Sequence, residues 1–301
     1  MLQHLEKKNV TMLPCLFRER MLVNRNYLLE LGTQELLQNY YLEAGIVMPD
    51  LQILERPETA KLHWGWEAPT CQLRGHFLGH WLSAASSLIA SENDAALKAK
   101  LDEIISELAR CQELNGGEWI GPFPEKYFTR LEKELDIWSP QYVMHKLIMG
   151  LTHAYLYAGN EQALTIVRHL ADWYIRWTEK VQSTNPHAVY SGEESGMLEM
   201  WAQLFETTKD PVYETLASRY SNPSLFHNLS EGKDALTNCH TNSSIPWAHG
   251  AARMYEVTGD EKYKTIVELF GNVPLPTAVI SAPEVPTPEN SGYRLSFPAS
   301  T

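Results

Sequence analysis

Three short stretches carry side chains whose types and spacing could do chemistry. In His76-Phe77-Leu78-Gly79-His80 two imidazoles stand four residues apart, a helical spacing that can hold zinc. The glutamate of an H-E-x-x-H metalloprotease motif is absent. Hydrogen bonding in a pocket, or a pair of satisfied core histidines, is therefore the better reading. Glu193-Glu194-Ser195-Gly196-Met197-Leu198-Glu199 gathers three carboxylates around a glycine, and two carboxylates flanking a glycosidic bond are what acid–base cleavage needs. Adjacent residues on a regular element point apart, so Glu193 and Glu194 are not expected to be that pair. Acids at a helix start also complement its dipole, the plainer explanation. The polar run Thr237 to Pro246 can cap a helix and offer donors and acceptors to a ligand. Within it Cys239 adjoins His240, a thiolate–imidazole pairing only if two neighbours face each other, which they need not.

Elements must position these groups. The stretch Gly116 to Asn160 opens on a Gly-Gly turn and crosses an aromatic, proline-broken loop. It then enters a helix near Trp138-Ser139-Pro140. Trp138, Tyr142, His145, Met149 and Thr152 recur at three- and four-residue steps and share a face, opposite Val143, Leu147, Ile148 and Leu151. Such a helix fits the wall of a sugar pocket or a helix packed on both sides. Residues 73–91 read as another helix, with Phe77, Trp81, Ala84, Ala85 and Leu88 on one face and His76, His80 and Ser83 on another. One or two helices around Gly32 are expected within 20–45, and further helices over 94–114, 161–182 and 196–208.

Composition narrows the partners. The 301 residues are 44% hydrophobic and 21% charged, with 25 basic and 37 acidic side chains and a net charge of −12. That sign argues against nucleic acid and anionic membranes. Nine tryptophans and fourteen tyrosines suit sugar stacking and large cores alike. Cys15, Cys71, Cys111 and Cys239 are widely spaced without a C-x-x-C pair, so no disulfide framework is expected. The start MLQHLEKKNVTML lacks the apolar run of a signal peptide, and a cytoplasmic location is expected.

A repeat sets the architecture. The segments 154–170, 204–220 and 254–270 align with Asn160, Asp210 and Asp260 at equivalent places. Each follows an aromatic-ended helix and can N-cap the next; Gly159 and Gly259 suit the left-handed turn position before them. No stretch alternates with a strand's period of two. The expected fold is all-α, the repeated helical hairpins building either an open solenoid or a closed α/α toroid, of which the long loops between helices favour the toroid. Long loops at 46–70, 115–137 and 183–195 would gather at one mouth. The expected divisions are a leader over 1–19, the barrel over 20–270 and a proline-rich disordered tail over 271–301. Roughly nine helices are expected before the tail, against about twelve in a six-hairpin toroid.

Taken together, these segments resemble the β-L-arabinofuranosidase family of glycoside hydrolases. The matching pieces run in the family's order: Gly65-Trp66-Glu67, then Gly75-His76 to Ala84, then Cys111-Gln112 with Gly116-Gly117. Trp138 to Tyr142 leads to His145-Lys146 and Gly150-Leu151. Glu193 to Glu199 then matches a pattern like E-x-G-G-M-N-E, and His240 to Pro246 one like H-A-N-T-x-I-P. The resemblance implies an (α/α)6 barrel and removal of arabinofuranose or related sugars from plant glycans or glycoproteins. By matched position, His145, His240, Glu193 and Glu194 would line the sugar subsite, with His76, His80 and Trp66 at or near the same mouth.

This chain departs from the pattern at Ser195, Leu198 and Thr241. The family's acid/base glutamate and zinc-bound cysteine nucleophile follow the H-A-N-T-like segment. Here that region is the tail, which holds Glu284 and Glu289 but no cysteine. The expectations are an incomplete barrel and no bound zinc, although zinc serves the complete family. Carbohydrate is the expected partner, with self-association possible through open barrel edges. The alternative is a catalytically inactive carbohydrate-binding or helical scaffold protein.

Overall fold

The computed structural model describes residues 6–47, 62–221, 223–233, 235–236 and 239–272. Among them the backbone forms α-helices and short 3-10 turns, with no strand. The chain begins with α1 (Leu16–Glu30) and α2 (Thr33–Glu43), followed by the hairpin of α3 (His76–Glu92) and α4 (Ala95–Leu114). After the short α5 (Lys126–Glu132) come the hairpins α6 (Pro140–Ala158) with α7 (Glu161–Thr184) and α8 (Met197–Thr208) with α9 (Pro211–Arg219). The short α10 (Pro223–Ser230) leads to the last, α11 (Thr241–Thr258) with α12 (Glu261–Asn272).

The hairpins stand in two layers. In the inner row α3 packs on α6, α6 on α8 and α8 on α11; outside, α4 packs on α7 and α7 on α9. Sequence pattern decides the layer. On α7 the buried positions Ala163, Ile166, Val167, Leu170, Tyr174 and Trp177 form one stripe, as in a helix with one wet face. On α6 burial runs nearly all round, from Val143 and Met144 through Leu147, Ile148, Gly150 and Leu151, so it sits between neighbours. These are four hairpins of the toroid expected from the repeat, and the loops entering the inner helices gather at their N-terminal ends.

The repeat's capping holds. Asn160 accepts from the Ala163 N–H at 2.9 Å, Asp210 from Val212 at 3.0 Å and Asp260 from Lys262 at 3.0 Å. Gly159 and Gly259 take positive φ, 65° and 69°, but the second copy puts Lys209 there at φ 59°. A side chain in this region is disfavoured by about 1 kcal/mol. Lys209→Gly is therefore expected to raise stability by about 0.5–1 kcal/mol, less what is lost with the ammonium 5.8 Å over the Phe205 ring. A urea midpoint that falls instead would rule out a strained turn.

Three expectations change. The helices among the described residues number twelve rather than about nine; α5 lies inside the loop expected over 115–137, and α10 falls where no helix is expected. Residues within the expected leader already take part: α1 starts at Leu16, and the 3-10 turn Lys7–Asn9 packs on α3. Gly271 and Asn272 end α12 rather than begin a tail; the expectation for 273–301 lies outside the described residues. Outward on α1, Leu16, Phe17, Val23 and Tyr27 are exposed, so this helix carries apolar residues on both sides. Among the described residues no helix is long and apolar enough to cross a membrane.

Candidate functional site

The mouth is built first around Glu67. Its carboxylate accepts from the Gly75 N–H at 2.7 Å and the Phe77 N–H at 2.9 Å, satisfying donors orphaned at the start of α3. It also stands 2.7 Å from His76 Nδ1. Burial pushes this carboxyl up, but His76 and the Phe77 and Gly75 N–H groups outweigh it and hold the pKa below its ordinary value. From α2, Asn39 and Gln38 donate at 2.9 Å to the Glu67 carbonyl, and Gln38 also grips His63. The loop carrying Trp66 is thus fixed to two helices.

An aromatic wall rises from this base. The Trp66 ring lies 6.1 Å from His76 and 6.5 Å, edge-on, from Trp138. His76 lies 5.9 Å from His80 and 6.2 Å from Tyr142. Trp66 is 63% and Trp138 46% exposed, so both indoles are open to a stacking partner. The Trp138 backbone is tied down by its main-chain N–H, which donates to Gln72 Oε1 at 2.6 Å. Burial of its ring nitrogens, then the ammonium of Lys146 and His76, lowers the His80 pKa to about 4, although the residue as a whole is exposed. Burial, Lys146 and His80 lower His145 well below its ordinary value. Both rings are neutral at physiological pH and can each offer one donor and one acceptor.

The loop before α8 closes the wall. Its Gly192 carbonyl accepts from the Tyr142 N–H at 3.1 Å, and buried Gln141 donates to the carbonyls of Val189 at 3.0 Å and Ser191 at 2.6 Å. A Cβ on Gly196 would stand 2.6 Å from His145 Nε2, so the ring lies directly against this backbone. The neighbouring acids diverge, as expected for adjacent residues. Glu193 acts on Tyr142, whose phenol is raised by burial and then by this carboxylate. Glu194 is 4% exposed, and its Oε1 accepts from Trp247 Nε1 of α11 at 3.2 Å. Burial pushes the Glu194 carboxyl up to about 7, beyond what Trp247 offsets.

Trp66, His76, His80, His145, Glu193 and Glu194 are thus brought to the N-terminal ends of α3, α6 and α8. His240 is not joined to them. It is the exposed N-cap residue of α11, and its side chain makes no hydrogen bond to a described residue. Trp138 and Tyr142 take the place at the mouth that their helix face suggested, while Lys146, Trp247 and above all Glu67 belong to it without having been singled out as site residues. Glu67 had a signal, its place in Gly65-Trp66-Glu67; Trp247 had none, because only α11 packing delivers it.

The fit to zinc can be judged from the donors. Among the described residues no three His, Cys, Asp or Glu side chains group so as to hold a metal ion. Cys111 is buried in the core, Cys71 is partly covered, and Cys15 and Cys239 are exposed. His76 Nδ1 is engaged by Glu67 and by the Leu73 carbonyl at 3.0 Å. Among the described residues these side chains are not grouped as a zinc ligand set.

The comparison with protein families decides what this mouth belongs to. Residues 9–273 match the family model described as Beta-L-arabinofuranosidase, GH127 catalytic domain. The chain belongs to this family. The twelve helices among the described residues fall inside the match, and membership in the β-L-arabinofuranosidase family indicates a carbohydrate as the class of substrate. No curated protein matches the chain.

Proposed function

We propose that the mouth at the N-terminal ends of α3, α6 and α8 binds an arabinofuranosyl-type glycan, with no zinc held by the residues described. The observation that carries this reading is the meeting of two exposed indoles, Trp66 and Trp138, with the His76, His80 and Tyr142 rings. Apolar sugar faces stack on such rings, while neutral imidazoles read hydroxyls in both directions. On this reading the chain acts as the sugar-holding part of a glycoside hydrolase fold, and Glu67 is committed to structure.

The raised Glu194 carboxyl favours a second reading, hydrolysis by this chain itself. A carboxylic acid kept protonated near neutral pH is what general-acid cleavage of a glycoside needs. One set of measurements separates the two. Saturation-transfer NMR with methyl β-L-arabinofuranoside is expected to show binding that weakens about tenfold in Trp66→Ala and in Trp138→Ala, the loss expected for a stacking ring. Release of arabinose from the aryl glycoside, abolished in Glu194→Gln, would establish the second reading. No transfer to any pentofuranoside, or binding indifferent to both tryptophans, would reject a sugar site here.

A further inference from the structure

Two opposite charges stand on packed inner helices near this mouth and form no ion pair with each other. Lys146 follows His145 on α6, and Glu199 lies in the first turn of α8, three residues beyond the Gly196 that packs against the His145 ring. Residues three apart share a helix face, and α6 packs on α8. Both side chains are half-buried. The Lys146 ammonium lies 4.7 Å over the Tyr142 ring, and neither it nor the Glu199 carboxylate forms a hydrogen bond or ion pair with a described residue. They still feel each other: burial lowers the Lys146 pKa and Glu199 pulls it back. Glu199 also lines a cavity of about 640 Å³ that opens along the inner helices toward Tyr157 and Arg253.

A half-buried ammonium and carboxylate that attract across a gap are each short of a partner. The group that satisfies both at once accepts one hydrogen bond and donates another, which is what a sugar hydroxyl does. A free anion would satisfy Lys146 and repel Glu199; a cation would do the reverse. We propose that Lys146 and Glu199 are a hydroxyl-reading pair, which fixes which carbon of the bound sugar must carry its hydroxyl and so determines specificity. The inference rests on the sugar-binding reading above. It adds an acceptor–donor pair to the rings that stack and orient the same ligand.

The test is NMR titration of the full chain with methyl β-L-arabinofuranoside and with its 2-deoxy and 3-deoxy analogues. Lys146→Met keeps the aliphatic stem and Glu199→Gln keeps the shape, and thermal unfolding checks that each variant folds. Each single change is expected to weaken binding of the parent sugar roughly tenfold or more, the worth of a hydrogen bond to a charged group. The double variant should be little worse than either single one. One deoxy analogue should bind wild type as weakly as the parent binds Lys146→Met, and should be indifferent to both changes. Parent sugar held at full strength by both single variants, or losses that multiply in the double variant, would overturn the pair while leaving the sugar site standing. Wild type that takes up none of the three sugars would remove the sugar site and this pair together.

Discussion

Gly79→Ala is expected to destabilise the protein by about 3 kcal/mol or more and to abolish whatever the mouth binds. The reason is backbone contact between α3 and α6. A Cβ at Gly79 would stand 2.7 Å from the Leu147 nitrogen and closer still to the Lys146 carbonyl. On the facing helix, a Cβ at Gly150 would stand 2.6 Å from the Gly79 oxygen and 2.8 Å from Leu82 Cβ. Backbone atoms cannot swing aside as a flexible side chain can, so the two helices must separate. Overpacking of this kind lies at or beyond the upper end of its usual range. Separation would also draw His76 and His80 on α3 away from Tyr142, His145 and Lys146 on α6. Gly271→Ala supplies the control: it lies in α12 with nothing near its missing Cβ, and alanine there should be neutral or gain about 0.5–1 kcal/mol in helix propensity. Equal urea midpoints for the two variants would mean that α3 and α6 do not meet at their backbones.

Such contacts show how far the sequence could be read. The repeat announced Asn160, Asp210 and Asp260 as caps because a cap acts within three residues of itself, and spacing alone exposes it. The His76–His80 face on α3 and the Tyr142–His145 face on α6 were legible for the same reason, one helical period each. What the site needs beyond that is long-range. Glu67 gained its place from α2 and the start of α3 together, through Asn39, Gly75 and Phe77. The meeting of Glu194 with Trp247 spans 53 residues, and the Lys146–Glu199 gap depends on how α6 lies against α8. His240 was placed at the subsite by its match to a family pattern. Its exposure at the N-cap of α11 reflects a loop whose contacts no local rule supplies. Gly79 and Gly150 carried their meaning openly only as matched motif positions; that they face each other is a fact of helix packing.

The second large effect concerns protons. Glu194→Gln is expected to raise stability by about 1 kcal/mol or a little less at pH 5 and by about 3 kcal/mol at pH 8, measured by urea unfolding at both values. The folded pKa of Glu194 is about 7 against an ordinary 4.5, with burial as the main cause. The folded state therefore holds a proton that the unfolded chain has released, and the favourable contribution is complete below about 4.5. It is lost as pH rises from there through about 7. Glutamine keeps the shape of the protonated acid and its bond from Trp247, but has nothing to ionise. The histidines held neutral, His80, His145 and His153, act in the opposite sense, since below about 6.5 the unfolded chain takes up protons that the folded state does not. They do so equally in both proteins, and the difference between the two curves isolates Glu194. If the variant tracks wild type across the whole range, Glu194 is ionised in the folded state. A carboxylate could then only accept from the ligand, and hydrolysis with Glu194 as the acid would fall. If the curves part as expected, the same carboxyl is a donor at neutral pH, and arabinose release should fade above about 7 wherever this chain cleaves as well as binds.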